Sequence, residues 1–377
     1  MMLAQPPAWF VILAFLAALG PLIIGHELGH YWVARWFGVG AETFSIGFGK
    51  EVAGWTDKRG TRWKVGLLPL GGYVKFIGDE DASSTTASSA GLSPDLQRQS
   101  FHLRPAWQRF LIVLAGPASN FIIAILIFAS FFAVFGKPQT SNEVSKVVAG
   151  SAAQIAGIAA GDRILSIAGR ATPNFNDISN YVALRPGDKV EIQVDRGGQV
   201  LMLPATLGAV QQSDRFGQQF RIGQLGVFPT KGALVPVSAT RLIPEAVTVT
   251  VKMTRSMADG LWQIVSGRRS IKELGGPLRM AQIAGQQASL GLFEFFSLIA
   301  IFSINLGFIN LLPIPMLDGG HLVLYSIEAI RRRPASERVV EWAFRGGLAF
   351  ILALLLVATF NDHGFFGLWD GVGRLIG

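Results

Sequence analysis

Residues 6–30 read PPAWFVILAFLAALGPLIIGHELGH. From Pro7 to Gly25 the run is near-continuously apolar and uncharged, and it ends on three ionisable side chains, His26, Glu27 and His30. A spanning helix needs about 20 predominantly apolar residues, so this run is long enough to cross a bilayer. A secretory leader would open on basic residues and carry a shorter apolar core. The segment is therefore expected to remain as a helix.

Three further stretches follow. Phe110–Gly136 and Phe295–Leu317 carry no charge, and Trp342–Phe360 carries only Arg345, near its start. An arginine there can snorkel to the headgroups. Composition agrees: of 377 residues, 50% are hydrophobic and only 15% charged, where soluble domains average roughly 25% charged. These figures exclude a wholly soluble enzyme, and 27 Phe at low charge exclude a disordered chain. The lack of Cys excludes disulfides, thiolate zinc ligands and a cysteine nucleophile. The net charge of +8 suits anionic lipid; no nucleic-acid motif accompanies it. The expected fold class is an α-helical polytopic membrane protein with about four transmembrane helices.

Orientation follows from the loop between the third and fourth stretches, which holds Arg331, Arg332, Arg333 and Arg338. Short basic loops stay in the cytoplasm. Counting back, residues 31–104 lie inside, and residues 137–290 and both chain ends lie outside. The first and third spans then run the same way and deliver their ends to one leaflet.

The chain divides into four parts. Residues 1–136 form an N-terminal membrane region. It holds two spans, β-structure at 42–76 on the cytoplasmic side and a flexible Ser/Thr/Ala-rich linker at 82–100. The β-structure is two alternating runs either side of a polar turn, Asp57-Lys58-Arg59-Gly60. Residues 137–210 alternate strand and turn signals, as a small inserted α/β domain does. Residues 211–290 are a connector, in which Pro244–Ile264 carries apolar residues at helical spacing with Trp262. That helix suits either a membrane surface or the face of the outer domain. Residues 291–377 form the C-terminal membrane region.

His26-Glu27-Leu28-Gly29-His30 is H-E-x-x-H. On a helix, positions i and i+4 share a face, so both imidazoles can reach one Zn²⁺, with Glu27 beside them as general base on water. Catalytic zinc usually takes three protein ligands. The topology offers Asp318, which follows Asn310-Leu-Leu-Pro313-Ile-Pro315-Met-Leu317. The prolines there break a helix, and broken backbone inside a membrane belongs where it lines a protein cavity. The alternative for Asp318 is a helix N-cap. Gly116-Pro117-Ala118-Ser119-Asn120 reads as close helix packing and polar support. His102 and His321 are further ligand candidates, and their simpler reading is as surface or supporting histidines.

Together these residues resemble the site-2 protease family of intramembrane zinc metalloproteases, in its bacterial RseP-like branch, the regulator-of-sigma-E proteases. The resemblance rests on H-E-x-x-H at 26–30, G-P-x-x-N at 116–120 and N-x-x-P-x-P-x-L-D-G at 310–319. It is supported by Gly47-Phe-Gly49, Leu70-Gly-Gly-Tyr-Val74 and Leu274-Gly-Gly-Pro277. It implies zinc held by His26, His30 and Asp318, Glu27 as the base and Asn310 holding the substrate backbone. It further implies that 137–210 is a single extracytoplasmic PDZ-like domain, and that segment 42–76 dips toward the active site. The implied protein lies in the bacterial inner membrane with its site toward the cytoplasm. The implied substrates are single-span membrane proteins, such as a pre-trimmed anti-sigma factor, or signal-peptide remnants. A membrane adaptor with a degenerate site and an ion transporter are the rivals. Intact Glu27 and Asp318 oppose the first, and the lack of repeated halves opposes the second.

Overall fold

The computed structural model describes residues 6–78, 93–213, 219–230, 232–267 and 275–363. The chain begins with α1 (Ala8–Trp36), β1 (Ala41–Thr56), β2 (Arg62–Phe76), α2 (Pro94–Arg98) and α3 (Ala106–Phe135). Next come β3 (Lys137–Gln139), β4 (Val144–Val147), α4 (Ala152–Ile155), β5 (Arg163–Ile167), β6 (Arg170–Ala171) and α5 (Phe175–Ala183). They are followed by β7 (Lys189–Arg196), β8 (Gln199–Thr206), β9 (Gly208–Ser213), β10 (Gln219–Gln224), β11 (Val227–Pro229) and β12 (Ala233–Val235). The last helices are α6 (Leu242–Val265), α7 (Pro277–Leu290), α8 (Leu292–Asn310), α9 (Asp318–Arg331) and α10 (Glu337–His363). Two compact units result, residues 1–128 with 274–362 and residues 129–273 with 363–377.

Among the described residues, α1, α3, α8 and the Arg338–Thr359 part of α10 are long and apolar enough to cross a membrane. The expected polytopic helical class is therefore seen. The 19 residues of α8 span about 28 Å, close to a hydrocarbon thickness of about 30 Å. One boundary differs from expectation. The third span stops at Asn310, not Leu317, because Pro313 and Pro315 have no N–H to carry the helical ladder on.

In the helical unit, Ala14, Ala18 and Leu22 of α1 pack with Leu298, Ile299 and Phe302 of α8. Further along α1, Tyr31 and Ala34 meet Ile112 and Val113 near the start of α3, whose later residues Ile123 and Ile127 lie by Ala14–Leu22. So α1 and α8 run side by side in one direction, and α3 runs against them. The approach is close. A Cβ on Gly29 would sit 2.4 Å from the Ala115 carbonyl oxygen, and one on Gly307 would sit 3.1 Å from that of Pro117. Small residues at helix contacts are the membrane solution to packing. Gly38, at φ +73°, ends α1. The Val39 N–H then reaches the Ala34 carbonyl at 2.9 Å, a Schellman closure that turns the chain into β1.

The two alternating runs do form strands around the Asp57–Gly60 turn, but the pairing is richer than one hairpin. Residues 43–46 have two sets of partners. On one side they face 75–72, the numbers running oppositely; on the other they face 62–65, the numbers rising together. Residues 62–65 also pair with 56–53. Two chain segments thus make a sheet four strands wide, with 72–76 at one edge. Phe44 and Val74 are buried in a cluster with Tyr31 of α1, while Val52, Leu67 and Leu68 are exposed at the far end and Trp55 is exposed on the outer strand. Of the expected 82–100 linker, residues 82–92 lie outside the described residues; Pro94–Arg98 is a short helix.

The second unit holds the four-stranded antiparallel sheet β6-β5-β7-β8 with α5. Its core is aliphatic: Ile164, Ile167, Ile178, Ile192 and Val194 are fully or almost fully buried. Beyond the expected boundary at 210, Leu225 joins this core, Val227 packs on it, and β11 pairs with β4. The expected connector helix is α6. Its charged side chains bond within this unit, Glu245 to Lys137, Lys252 to Asp177, and Asp259 to Arg170 and Arg185.

Candidate metal centre and active site

The H-E-x-x-H turn lies in the second half of α1, and both imidazoles are buried. Asp318 is the first residue of α9, and Leu317 is the N-cap, so its carboxylate is not spent as a cap. A turn places it there. The Leu317 N–H bonds the Ile314 carbonyl at 3.1 Å, with Pro315 next and then Met316 at φ +81°. This is the pattern of a type II turn, whose third position prefers glycine. A methionine there is strained by roughly 1–3 kcal/mol and must be held by its surroundings. The next two residues must be glycine. A Cβ on Gly319 would lie 2.1 Å from the Leu312 carbonyl oxygen, and one on Gly320 would lie 2.6 Å from that of Ile314.

These elements converge on one point. His26 Nε2 lies 3.1 Å from Asp318 Oδ2, His30 Nε2 lies 3.5 Å from Asp318 Oδ1, and the two Nε2 atoms are 3.2 Å apart. A tetrahedral zinc with bonds of about 2.0–2.2 Å sets its donors about 3.3–3.6 Å apart. The observed 3.1, 3.2 and 3.5 Å lie at or just below that range. Asp318 Oδ2 is buried, and its polar neighbour is His26 Nε2, an atom that a neutral ring with its proton on Nδ1 leaves with no hydrogen to donate. A buried carboxylate oxygen so placed is costly unless something else satisfies it, and a shared cation would. The wall beneath the imidazoles is bare by necessity, since a Cβ on Gly116 would lie 2.2 Å from His30 Nε2 and 2.9 Å from His26 Nε2.

The other ring nitrogens are also held. His30 Nδ1 donates to the Ile112 carbonyl at 2.9 Å, because a carbonyl can only accept. That leaves the Nε2 lone pair facing the cluster. His26 Nδ1 lies 3.0 Å from the amide of Asn120, which is wholly buried. From the sequence alone Asn120 reads as packing support. Its spacing from Gly116 carried a signal, since positions four apart share a helix face.

Glu27 faces the edge strand 72–76. The Val74 N–H lies near its carboxylate, and a Cβ on Gly72 would come within 3.2 Å of its Cγ. His26, Glu27, His30 and Asp318 line a cavity of about 270 Å³ with Tyr73, Phe76, Phe101, Met316, His321 and Tyr325 on its walls. Tyr73 and Phe76 belong to segment 42–76, which the resemblance brings toward the site, while Phe101 and Tyr325 come from separate elements and were not anticipated. His321 therefore lies in the cavity, with its ring 4.9 Å from that of Phe344. His102 packs against Phe101 and is not one of the cavity residues. Asn310 is the last residue of α8 and is also not among them.

Two histidines and a glutamate from one helix, with an aspartate from another, define the class: a zinc-dependent hydrolase whose site is carried by membrane-type helices. Comparison with known proteins gives the family. The profile of peptidase family M50 matches residues 14–354. Metalloprotease MmpA of Caulobacter vibrioides is 37% identical over 97% of this chain and 98% of its own length. A protein of Agrobacterium fabrum named "Putative zinc metalloprotease Atu1380" is 43% identical over 93% of this chain and 95% of its own. The chain belongs to peptidase family M50, the site-2 protease family, and is a zinc metalloprotease.

Proposed function

We propose that this protein is an intramembrane endopeptidase that cuts single-span membrane proteins within or beside their transmembrane segment. The observation that carries the reading is the placement of Glu27. It lies between two buried histidines that meet Asp318, on a helix built to cross a bilayer, and against an open strand edge. In this reading His26, His30 and Asp318 hold zinc and Glu27 is the base. Bound zinc supplies Lewis acidity, which makes water nucleophilic near neutral pH and draws charge from the attacked carbonyl. The Glu27 carboxylate takes a proton from water as its oxygen bonds the carbonyl carbon. Glu27 then returns the proton to the amide nitrogen as the C–N bond breaks.

A helical substrate hides its scissile amide inside its own ladder. The edge strand 72–76 offers replacement partners, because an extended peptide added to a sheet edge satisfies its backbone groups there. In this reading the sheet dips into the membrane, as its exposed Trp55, Leu67 and Leu68 favour. Asn310 holds the substrate backbone. The loop arginines put the catalytic end toward the cytoplasm and the second unit outside, in the bacterial inner membrane. There that unit, read as PDZ-like, screens for substrates already trimmed, an anti-sigma factor for example. Signal-peptide remnants are a second substrate class.

The test is cleavage of a tagged single-span anti-sigma fragment, its outer part removed, in a host lacking its own enzyme of this type. Wild type should cut it. Glu27→Gln should keep zinc and lose at least 100-fold in rate. Equal cutting by both would sink the mechanism. A folded, zinc-bearing wild type that leaves the fragment intact would sink the substrate assignment.

A further inference from the structure

We propose that Asn120 is a positioning residue for the metal. Its side-chain oxygen accepts the Nδ1 proton of His26 and so turns the Nε2 lone pair toward the cluster. This rests on the reading of His26 as a zinc ligand.

The two imidazoles are held by different groups. His30 has its tautomer fixed by a backbone carbonyl. Among the described residues no carbonyl bonds His26 in this way; the atom placed at its Nδ1 is Asn120 Nδ2, 3.0 Å away, while Asn120 Oδ1 is buried with no hydrogen-bond partner. An amide can offer either end. Its NH₂ would donate to Nδ1 and force the ring proton onto Nε2, where it would block a metal. Its oxygen would accept from Nδ1 and free Nε2. The two ends are nearly the same size, so the side chain seats either way in the same space, and metal binding selects the second. Neutral ligand histidines are generally oriented through their other nitrogen in this way.

Asn120 is also built in. Its backbone carbonyl accepts from Ser303 Oγ at 2.7 Å, and both residues are wholly buried. The bond ties α8 to α3 at the level where α3 reaches α1. Gly116, one turn earlier on α3, makes room for the imidazoles. One face of α3 therefore both clears the site and aims one of its ligands.

Two near-isosteric variants separate the alternatives. Asn120→Asp is a pure acceptor when ionised, and Asn120→Leu can neither accept nor donate. The full chain, purified in detergent and loaded with zinc, is equilibrated against a graded competing chelator, and zinc per chain is measured. Asn120→Leu should weaken zinc binding about 10–100-fold. Asn120→Asp should stay within about threefold of wild type or bind more tightly. The metal-stripped Asn120→Leu chain should melt with metal-stripped wild type. The inference is overturned if Asn120→Leu holds zinc as wild type does, or if Asn120→Asp loses it equally. It is also overturned if both stripped variants melt well below wild type, which would make Asn120 a packing residue. His26→Ala is run beside them. If it keeps zinc, the ligand assignment underneath fails; if it loses zinc while Asn120→Leu does not, only the Asn120 inference fails.

Discussion

The two units bury opposite things. Inside the second unit are Ile164, Ile167, Ile192 and Val194, and the buried carboxylate there, Asp162, is met by Arg196 and the Ala159 N–H. Inside the helical unit are His26, His30, Asn120 and Ser303, with Gly29, Gly116 and Gly307 where helices meet. Its Trp9, Ile12, Leu13, Ile122 and Leu126 face outward. Water drives apolar side chains inward in the first case. In lipid that force between helices is missing, and association rests on close packing and polar bonds. In the helical unit those same polar bonds shape the active site. Substitutions inside it should therefore be read out first as lost zinc, and substitutions inside the second unit as lost stability.

Gly116→Ala should break the helical unit's side of this contrast most severely. The added carbon would lie 2.2 Å from His30 Nε2, and that ring is pinned from behind by Ile112. A misplacement of about 1 Å at a reacting centre can cost on the order of 100-fold. Zinc per chain and cleavage rate should both fall by at least that much, at little cost in folded protein. Full zinc and full activity in Gly116→Ala would mean that α3 does not press on the imidazoles.

Ile192→Ala should do the reverse. Truncating a fully buried isoleucine costs about 2–5 kcal/mol. The second unit's own melting transition should drop by roughly 5–15 °C, while zinc content stays at wild type. Parallel loss of zinc would show that the two units do not divide stability and chemistry between them.

How much of this could be read in advance depended on the range of the interactions. H-E-x-x-H needs only one helical turn to bring His26 and His30 together, so it was legible. Asp318 was legible because two spans running the same way end at one level. The runs of 42–76 were legible from alternation. That residues 43–46 pair on both sides was not, because each run alone is consistent with a simple hairpin. Asn120 within an apolar stretch reads as helix glue, and only the tertiary fold brings His26 to it. The other cavity walls, Phe101, Tyr325 and Phe344, come from separate segments that share no local pattern. Leu225 joins the second core from a short Gln- and Gly-rich stretch whose alternation is too brief to signal a strand.

A smaller effect sharpens the second unit's side. Hydrogen bonds from Arg196, joined by the Ala159 N–H, hold the Asp162 carboxyl below the usual aspartate range. A carboxyl with a lowered folded-state pKa contributes stability that is present above its unfolded value, ~3.9, and is lost as pH falls through the folded value. The melting temperature of wild type should accordingly fall steeply as acid takes the pH below about 4. Asp162→Asn should melt a few degrees lower at pH 7, and the gap should close in acid. A gap that stays constant down to pH 2 would show that the ion pair with Arg196 carries none of it.

The smallest effect is the most discriminating control. Gly20 lies on α1, fewer than two turns before His26, yet a Cβ added there meets nothing within 4 Å. Replacing a helix-interior glycine by alanine is worth about 0.5–1 kcal/mol in helix propensity. Gly20→Ala should leave zinc content and cleavage unchanged and hold or slightly raise the melting temperature. On the same helix Gly29→Ala should behave oppositely, since its Cβ would meet the Ala115 carbonyl oxygen at 2.4 Å. The contrast within one helix tests the claim at its root. If sensitivity follows glycine as a residue type, both variants fail; if it follows the contact with α3, only Gly29→Ala does. Loss of zinc in Gly20→Ala would mean that the first half of α1 is seated against something closer than the packing with Leu298 and Phe302 provides.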